Sequence, residues 1–188
     1  VAVENGSTDA TCEVLAQCAA AWPRLRVISL PAACYGAAFK AGLQAARGEI
    51  IVNFDIDFWD VHLLDVALAM CPLGYDIIIG SKNAALSHDM RPCIRRLVSW
   101  GFRAALRLLF RLPASDTHGI KAWRNTPALQ QSVADVPPSH HVCDTEVVIR
   151  RIRAGARVVE VPVSVRETRA APRSIVRRIP RALWELAC

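Results

Sequence analysis

Glu49-Ile50-Ile51-Val52-Asn53-Phe54-Asp55-Ile56-Asp57 is an apolar run that ends on two carboxylates. Its β-branched residues predict a strand over 49–54. The run is apolar on successive positions, which predicts burial on both faces, as in parallel sheets. Working outward, residues 36–47 are Ala-rich and read as a helix that Gly48 ends. Before it, Val27-Ile28-Ser29-Leu30 is a short strand, and Val1-Ala2-Val3 another. Between those two strands a turn at 4–9 leads into a helix to about Ala21, with Thr8 or Asp9 as its cap. On the other side, a helix from about His62 to Met70 precedes a strand at 75–80. Strand and helix alternate throughout, which predicts an α/β fold: a Rossmann-like, mostly parallel sheet flanked by helices. Such sheets bind ligands at the carboxyl ends of their strands. Asp55 and Asp57 stand at one of those ends.

The second half of the chain reads differently. Residues 93–112 predict a long helix carrying Arg95, Ser99, Arg103, Arg107 and Arg111 along one stripe. A polar loop follows at 113–120, with Lys121 and Trp123 bracing it. Residues 144–154 predict a helix. Val158 to Val165 predicts a strand near a sheet edge, because Pro162 cannot donate to a ladder. Residues 174–187 fit a basic amphipathic helix, while His140-His141 belongs to a loop and Glu160 to the framework.

The 188 residues suit one domain, and 53% of them are hydrophobic, enough for a core and unlike a disordered chain. No apolar run reaches the roughly 20 residues that cross a bilayer. The first residues, with Glu4 and Asn5, do not look like a signal peptide. Seven scattered cysteines without a CxxC pair argue for reduced thiols in a cytoplasmic protein rather than a zinc site. Residues 1–80 hold nine acidic and four basic residues, a balance of −5, whereas residues 81–188 hold eight and 19, a balance of +11. A cation site beside a surface for anions, phosphates or lipid head groups is the expectation from that asymmetry.

Two carboxylates two residues apart at a strand end can share a divalent metal. Mg2+ and Mn2+ favour oxygen ligands and complete their shell with phosphates of a ligand. The same pattern opens a phosphatase motif in which the first Asp is a nucleophile. That motif carries Thr or Val two residues after the second Asp, where this chain has Trp59.

The order of seven segments is more specific than any one of them. Residues 4–9 (ENGSTD) resemble the DDGSTD stretch of family 2 glycosyltransferases. Residues 36–49 are similar to that family's GxxxAxxxGxxxAxGD region, and Asp55-Ile56-Asp57 to its DxD. Gly80-Ser81-Lys82 resembles GSR, residues 116–121 resemble DxxxGxK, Asp144-Thr145-Glu146 resembles DxE, and residues 160–163 resemble EVPV. The polyprenyl-phosphate sugar synthases, among them dolichyl-phosphate mannose synthase, are the most similar branch.

The resemblance implies a GT-A fold, a nucleoside-diphosphate-sugar donor and an inverting, metal-dependent transfer. By position, Asp55 and Asp57 would hold Mg2+ or Mn2+ and the diphosphate, and Glu4 and Asn5 would lie at the nucleobase or ribose. Lys82, Arg95 and Ser99 would grip a polyprenyl-phosphate or other anionic acceptor, with His118 beside it. A hydroxyl acceptor would need a base, for which Asp116 and Asp144 are the candidates. Residues 1–82 would then form the nucleotide-sugar half and residues 83–188 the acceptor half. The enzyme would work at the cytoplasmic face of a membrane, its arginines in peripheral contact with anionic lipid.

Three departures bear on that expectation. Glu4-Asn5 replaces Asp-Asp, Lys82 replaces an Arg and loses its bidentate fork, and Tyr35 stands where a Lys is frequent. The family's first strand, with its PxYNE segment, has no counterpart, so an N-terminally truncated domain is expected. A nucleotidyltransferase shares the sheet and the metal carboxylates but brings a Gly-rich loop that these residues lack. A catalytically inactive remnant is another alternative. A nucleic-acid module would explain the basic half but not the acidic pair, and aromatics for base stacking are not interleaved with the arginines.

Overall fold

The computed structural model describes residues 1–81, 100, 101, 104, 117, 119–139 and 142–163. Six strands and five helices fall within them. In chain order they are β1 (Ala2–Asn5), α1 (Thr11–Ala21), β2 (Val27–Leu30), α2 (Tyr35–Ala45), β3 (Ile50–Asn53), α3 (Val61–Met70), β4 (Ile77–Ser81), β5 (Lys121–Arg124), α4 (Pro127–Asp135), α5 (Cys143–Arg153) and β6 (Val158–Pro162). Residues 100, 101 and 104 are helical, within the helix expected at 93–112. The rest of that helix, its arginine stripe, His140-His141 and the expected helix at 174–187 lie outside the described residues.

The strands form two sheets. β1 pairs with β2 in parallel, and a four-stranded sheet has the order β3-β5-β4-β6. β4 and β6 are parallel, while β5 runs antiparallel to both β3 and β4. Thus β3, β4 and β6 share one direction, and β5 alone opposes it. This corrects the reading of 121–123 as a loop brace: Lys121 and Trp123 are ladder residues, opposite Asn53 and Ile51. Four residues, Lys-Ala-Trp-Arg, contain no β-branched side chain and carry a charge at each end, so they give no strand signal. β6 does end at Pro162 and lies at the sheet edge, as expected.

Other boundaries move for local reasons. Ala10, not Thr8 or Asp9, is the N-cap of α1, although the Asp9 carboxylate accepts from the Thr11 amide at 3.0 Å. α2 stops at Ala45, short of Gly48. β3 is not buried on both faces: Ile51 is buried, and Ile50, Val52 and Asn53 are half-buried because the strand borders a cleft. By contrast β4 is buried along its whole length. α3 starts where Asp60 accepts from the His62 amide at 2.9 Å, and α4 where Thr126 accepts from Leu129, with Pro127 in the first turn.

The core has two parts, one on each side of the larger sheet. Phe39 and Leu43 of α2 pack with Ile51, Ile77, Trp123, Val133 and Val147. Leu63 and Ala67 of α3 pack with Ile78, Ile120, Ala122 and Val161. Burying each of the large side chains stabilises the fold by about 1.5–3 kcal/mol. α2 also ties the elements together by polar contacts. Lys40 Nζ donates to Ala134 O at 2.9 Å and to Val136 O at 2.6 Å, closing the carboxyl end of α4.

The turn after β1 depends on Gly6, which has φ +66°. A Cβ there would stand 2.6 Å from the backbone of Ala32 and Ala33. Gly6→Ala therefore meets both a left-handed backbone and a rigid neighbour. It is expected to lower stability by about 2 kcal/mol or more in urea denaturation. A change within about 0.5 kcal/mol would show that the turn can relax.

Candidate functional site

β1 and β3 run the same way. Arg26 Nη2, just ahead of β2, donates to Ala45 O at 2.6 Å, so the end of α2 lies by the start of β2. Asn5 Oδ1, at the end of β1, accepts from the Cys34 amide at 2.7 Å, so the start of α2 lies by the end of β1. β3 then begins at the Arg26 end and climbs back beside β1. Between the two strands is a cleft of about 670 Å³. Val1, Arg26, Arg47 and Ile50 line one end, and Asn5, Tyr35, Phe54, Asp55 and Asp57 line the other. Its floor is α2, with Ala38, Phe39, Gly42 and Leu43. The carboxyl ends of the strands thus open on the acidic pair.

Asp55 and Phe58 exchange backbone hydrogen bonds, at 3.1 and 3.2 Å, and close a two-residue turn. Ile56 and Asp57 form its tip, with Ile56 90% exposed. Asp55 and Asp57 are both exposed. Two exposed carboxylates on a tight turn suit an ion that takes one or two carboxylates and fills its shell from phosphates and water. Among the described residues no third His, Cys, Asp or Glu joins them.

Glu4 and Asn5 separate. Glu4 is 4% exposed, and its carboxylate accepts from the Ser7 amide. The Ser7 amide, then the Ser7 hydroxyl, hold its carboxyl below the usual range. It braces the Gly6 turn and does not line the cleft. Asn5 does line it, while fixing the loop that leads into α2.

Asp144 lies at the first turn of α5 and is fully buried. Its Oδ2 is 2.8 Å from Lys121 Nζ, which also donates to Gly119 O at 2.8 Å. Both side chains are 0% exposed. The two motifs that carry Lys121 and Asp144 are therefore joined as one ion pair. Thr145 Oγ1 lies 3.3 Å from Thr117 O and Oγ1, which fixes the neighbour of Asp116 against the same helix start. Asp116 and the other acceptor-side candidates, Lys82, Arg95, Ser99 and His118, lie outside the described residues.

Tyr35 lies in the cleft lining and feels the charge of the buried pair. Its ring stacks on Phe39 at 6.3 Å and lines the cleft wall, within electrostatic reach of Asp144 and Asp55. Burial, then the charges of Asp144 and Asp55, push the phenol well above its ordinary value. The hydroxyl therefore keeps its proton and can donate at any physiological pH. The neighbouring Cys143 thiol is pushed up to about 12, by burial first and the Asp144 charge second. Sequence reasoning noted Tyr35 only as a departure and assigned it no role. Asn53 was missed too: its side chain accepts from the buried Trp123 indole at 2.8 Å and pins the strand end from which the acidic turn springs.

A mixed α/β sheet with an acidic turn on a strand end, over a cleft, is the kind of α/β fold that binds ligands at the carboxyl ends of its strands. The chain belongs to glycosyl transferase family 2, whose model matches residues 1–129. It is 32% identical over 167 residues to glycosyltransferase AglD of Haloferax volcanii, covering 87% of this chain and 27% of that protein. It is 28% identical over 180 residues to dolichyl-phosphate beta-glucosyltransferase ALG5A of Trichomonas vaginalis, covering 89% and 54%. The chain thus spans about a quarter to a half of the length of these relatives. Glucosyl-3-phosphoglycerate synthase from Mycobacterium tuberculosis, crystallised with Mn2+ and UDP-glucose, superposes with a TM-score of 0.64 at 23% identity, covering 98% of this chain and 65% of that one. That likeness shows the GT-A fold. Among the described residues no helix is long and apolar enough to cross a membrane.

Proposed function

We propose that this chain is the catalytic domain of an inverting, metal-dependent glycosyltransferase that uses a nucleoside-diphosphate sugar. The observation that carries the reading is the exposed Asp55–Asp57 turn where β3 ends on the cleft beside Asn5 and Tyr35. The fold neighbour crystallised with Mn2+ and UDP-glucose supports the same donor chemistry.

In this reading residues 1–82 supply the donor half. Asp55 and Asp57 hold Mg2+ or Mn2+ against the diphosphate, and Asn5, with Glu4 beside it, meets the ribose or base. The metal, when bound, would neutralise charge that grows on the departing nucleoside diphosphate. Tyr35 lines the cleft near Asp144, whose buried pair with Lys121 holds the start of α5 in place. Residues 83–188 form the acceptor half. A basic half of +11 suits a phosphate, and the name of the Trichomonas relative supports a polyprenyl phosphate. Lys82, Arg95, Ser99 and His118 would hold that phosphate. It is already ionised and needs no base. A hydroxyl acceptor would need one, for which Asp116 and Asp144 are the candidates. The same basic residues would rest on anionic lipid at a cytoplasmic membrane face.

Calorimetric titration of UDP-, GDP- and dTDP-sugars, with Mn2+ and then with EDTA, tests the donor assignment. Binding of one nucleotide that EDTA abolishes is expected. No metal-dependent binding of any of them would sink it.

A further inference from the structure

α3 is apolar on both of its sides. Eight of its ten residues are apolar, all but His62 and Asp65. Leu63 and Ala67, with Cys71 just beyond, face inward and pack with Ile78, Ile120 and Ala122 of the larger sheet. The opposite face is exposed. Val61 and Leu68, Trp59 just ahead of the helix and Leu73 just after it are each more than half exposed, and Leu64 is 37% exposed. Val61, Leu64 and Leu68 recur at three and four residues, so they line one stripe. A helix that is apolar all round is normally buried. These five side chains leave on the order of 500 Å² open, at the large end for a monomer and more than half of the roughly 800 Å² that each partner buries in a stable dimer.

We propose that the outer face of α3 is a homodimer interface. Two copies of the helix pack antiparallel about Leu64, with His62 of each against Asp65 of the other.

The charges around the stripe select this occupant. Residues 54–73 hold four aspartates and neither Lys nor Arg. Helices that lie on a bilayer carry Lys and Arg beside their apolar face, and anionic lipid repels carboxylates. An apolar partner would bury Asp65, which flanks the stripe, with no donor to meet it. A second copy supplies that donor. In a two-fold interface residue i meets residue j, and j meets i. With Leu64 on the axis of an antiparallel pair, Val61 comes level with the partner's Leu68. His62 comes level with the partner's Asp65, an imidazole N–H opposite a carboxylate acceptor. One register therefore matches both the apolar stripe and its polar flank. Trp59 then comes level with the partner's Ala69. The two acidic turns, each just ahead of its own α3, lie at opposite ends of the seam, so neither mouth faces the other.

Sedimentation equilibrium of the 188-residue chain tests this, and a reversible dimer at micromolar concentration is expected. Leu68→Asp should weaken the dimer about 30-fold, as loss of a central apolar contact does. Circular dichroism should show its fold kept, because the position is already exposed. His62→Asp alone, or Asp65→His alone, sets like groups opposite one another and should weaken the dimer roughly 10-fold. The two changes together should restore it, since each copy again offers one of each. A chain that stays monomeric overturns the proposal, as does a dimer that none of these changes weakens. A dimer that the single changes weaken and the double change does not restore overturns it too. So does a monomer that sediments with phosphatidylcholine vesicles unless Leu68 is changed, since a bilayer would then be the occupant. These readouts need no nucleotide, so the interface and the donor assignment can fail separately.

Discussion

Asp57→Ala is expected to lower Mn2+-dependent nucleotide affinity by about 100-fold or more while leaving the fold unchanged. Asp57 is exposed at the tip of the Asp55–Phe58 turn, and the backbone bonds that shape the turn belong to residues 55 and 58. Removing its carboxylate therefore costs little structure, within roughly 0.5 kcal/mol, as at other exposed positions. In the proposed site the ion would lose one of its two carboxylate ligands. Perturbing groups merely behind a metal's ligands already costs about 10–100-fold, so losing a ligand should cost more. Residual binding should no longer respond to EDTA. Titration of the nucleotide into wild type and variant, with a thermal melt of each, reads both parts. Unchanged affinity in a folded variant would remove Asp57 from the metal site.

Lys121→Met is expected to produce the opposite pattern, a large loss of stability from a residue that does not line the cleft. Lys121 and Asp144 are both fully buried and lie 2.8 Å apart. Methionine keeps the length of the side chain but leaves the Asp144 carboxylate buried without its countercharge. Breaking a buried pair in this way costs about 3–5 kcal/mol. For a chain of this size that is a fall in melting temperature of roughly 10 °C or more. Adding Asp144→Leu should recover much of the loss, since an apolar pair of similar volume has no charge to desolvate. The double variant thereby separates two roles. Recovered stability with lost transfer would make Asp144 part of the chemistry, whereas recovery of both would make the pair a scaffold. A single variant that melts with wild type would show that water reaches the pair.

The strands and helices legible in the sequence are those with a period of their own. β3, β4 and α3 announce themselves through apolar runs bounded by Gly, Asp or Pro, and the acidic pair was legible because it follows such a run. β5 was not, since its four residues are a strand only by virtue of neighbours 70 positions upstream and 40 upstream in β3 and β4. Lys121 illustrates the same limit. A lysine reads as solvated, and nothing local reveals that an aspartate 23 residues later lies over it in the folded chain. Asn53 gains its role from Trp123, again across a long separation. The sequence marks groups that act where they stand, and leaves unmarked those that act through a distant partner.

The position of β5 bears on how the molecule is made. Among the described residues, β3 and β4 share a direction and are hydrogen-bonded into one sheet through residues 121–124 between them. During synthesis both strands leave the ribosome well before their common partner exists. Sheet closure is therefore late and non-local, the kind of contact that slows folding and prolongs the exposure of apolar strands. Ile77, Ile78 and Ile79 would be the residues most in need of shielding in that interval. The acidic turn, carried on β3, would acquire its final geometry only when Trp123 arrives to grip Asn53.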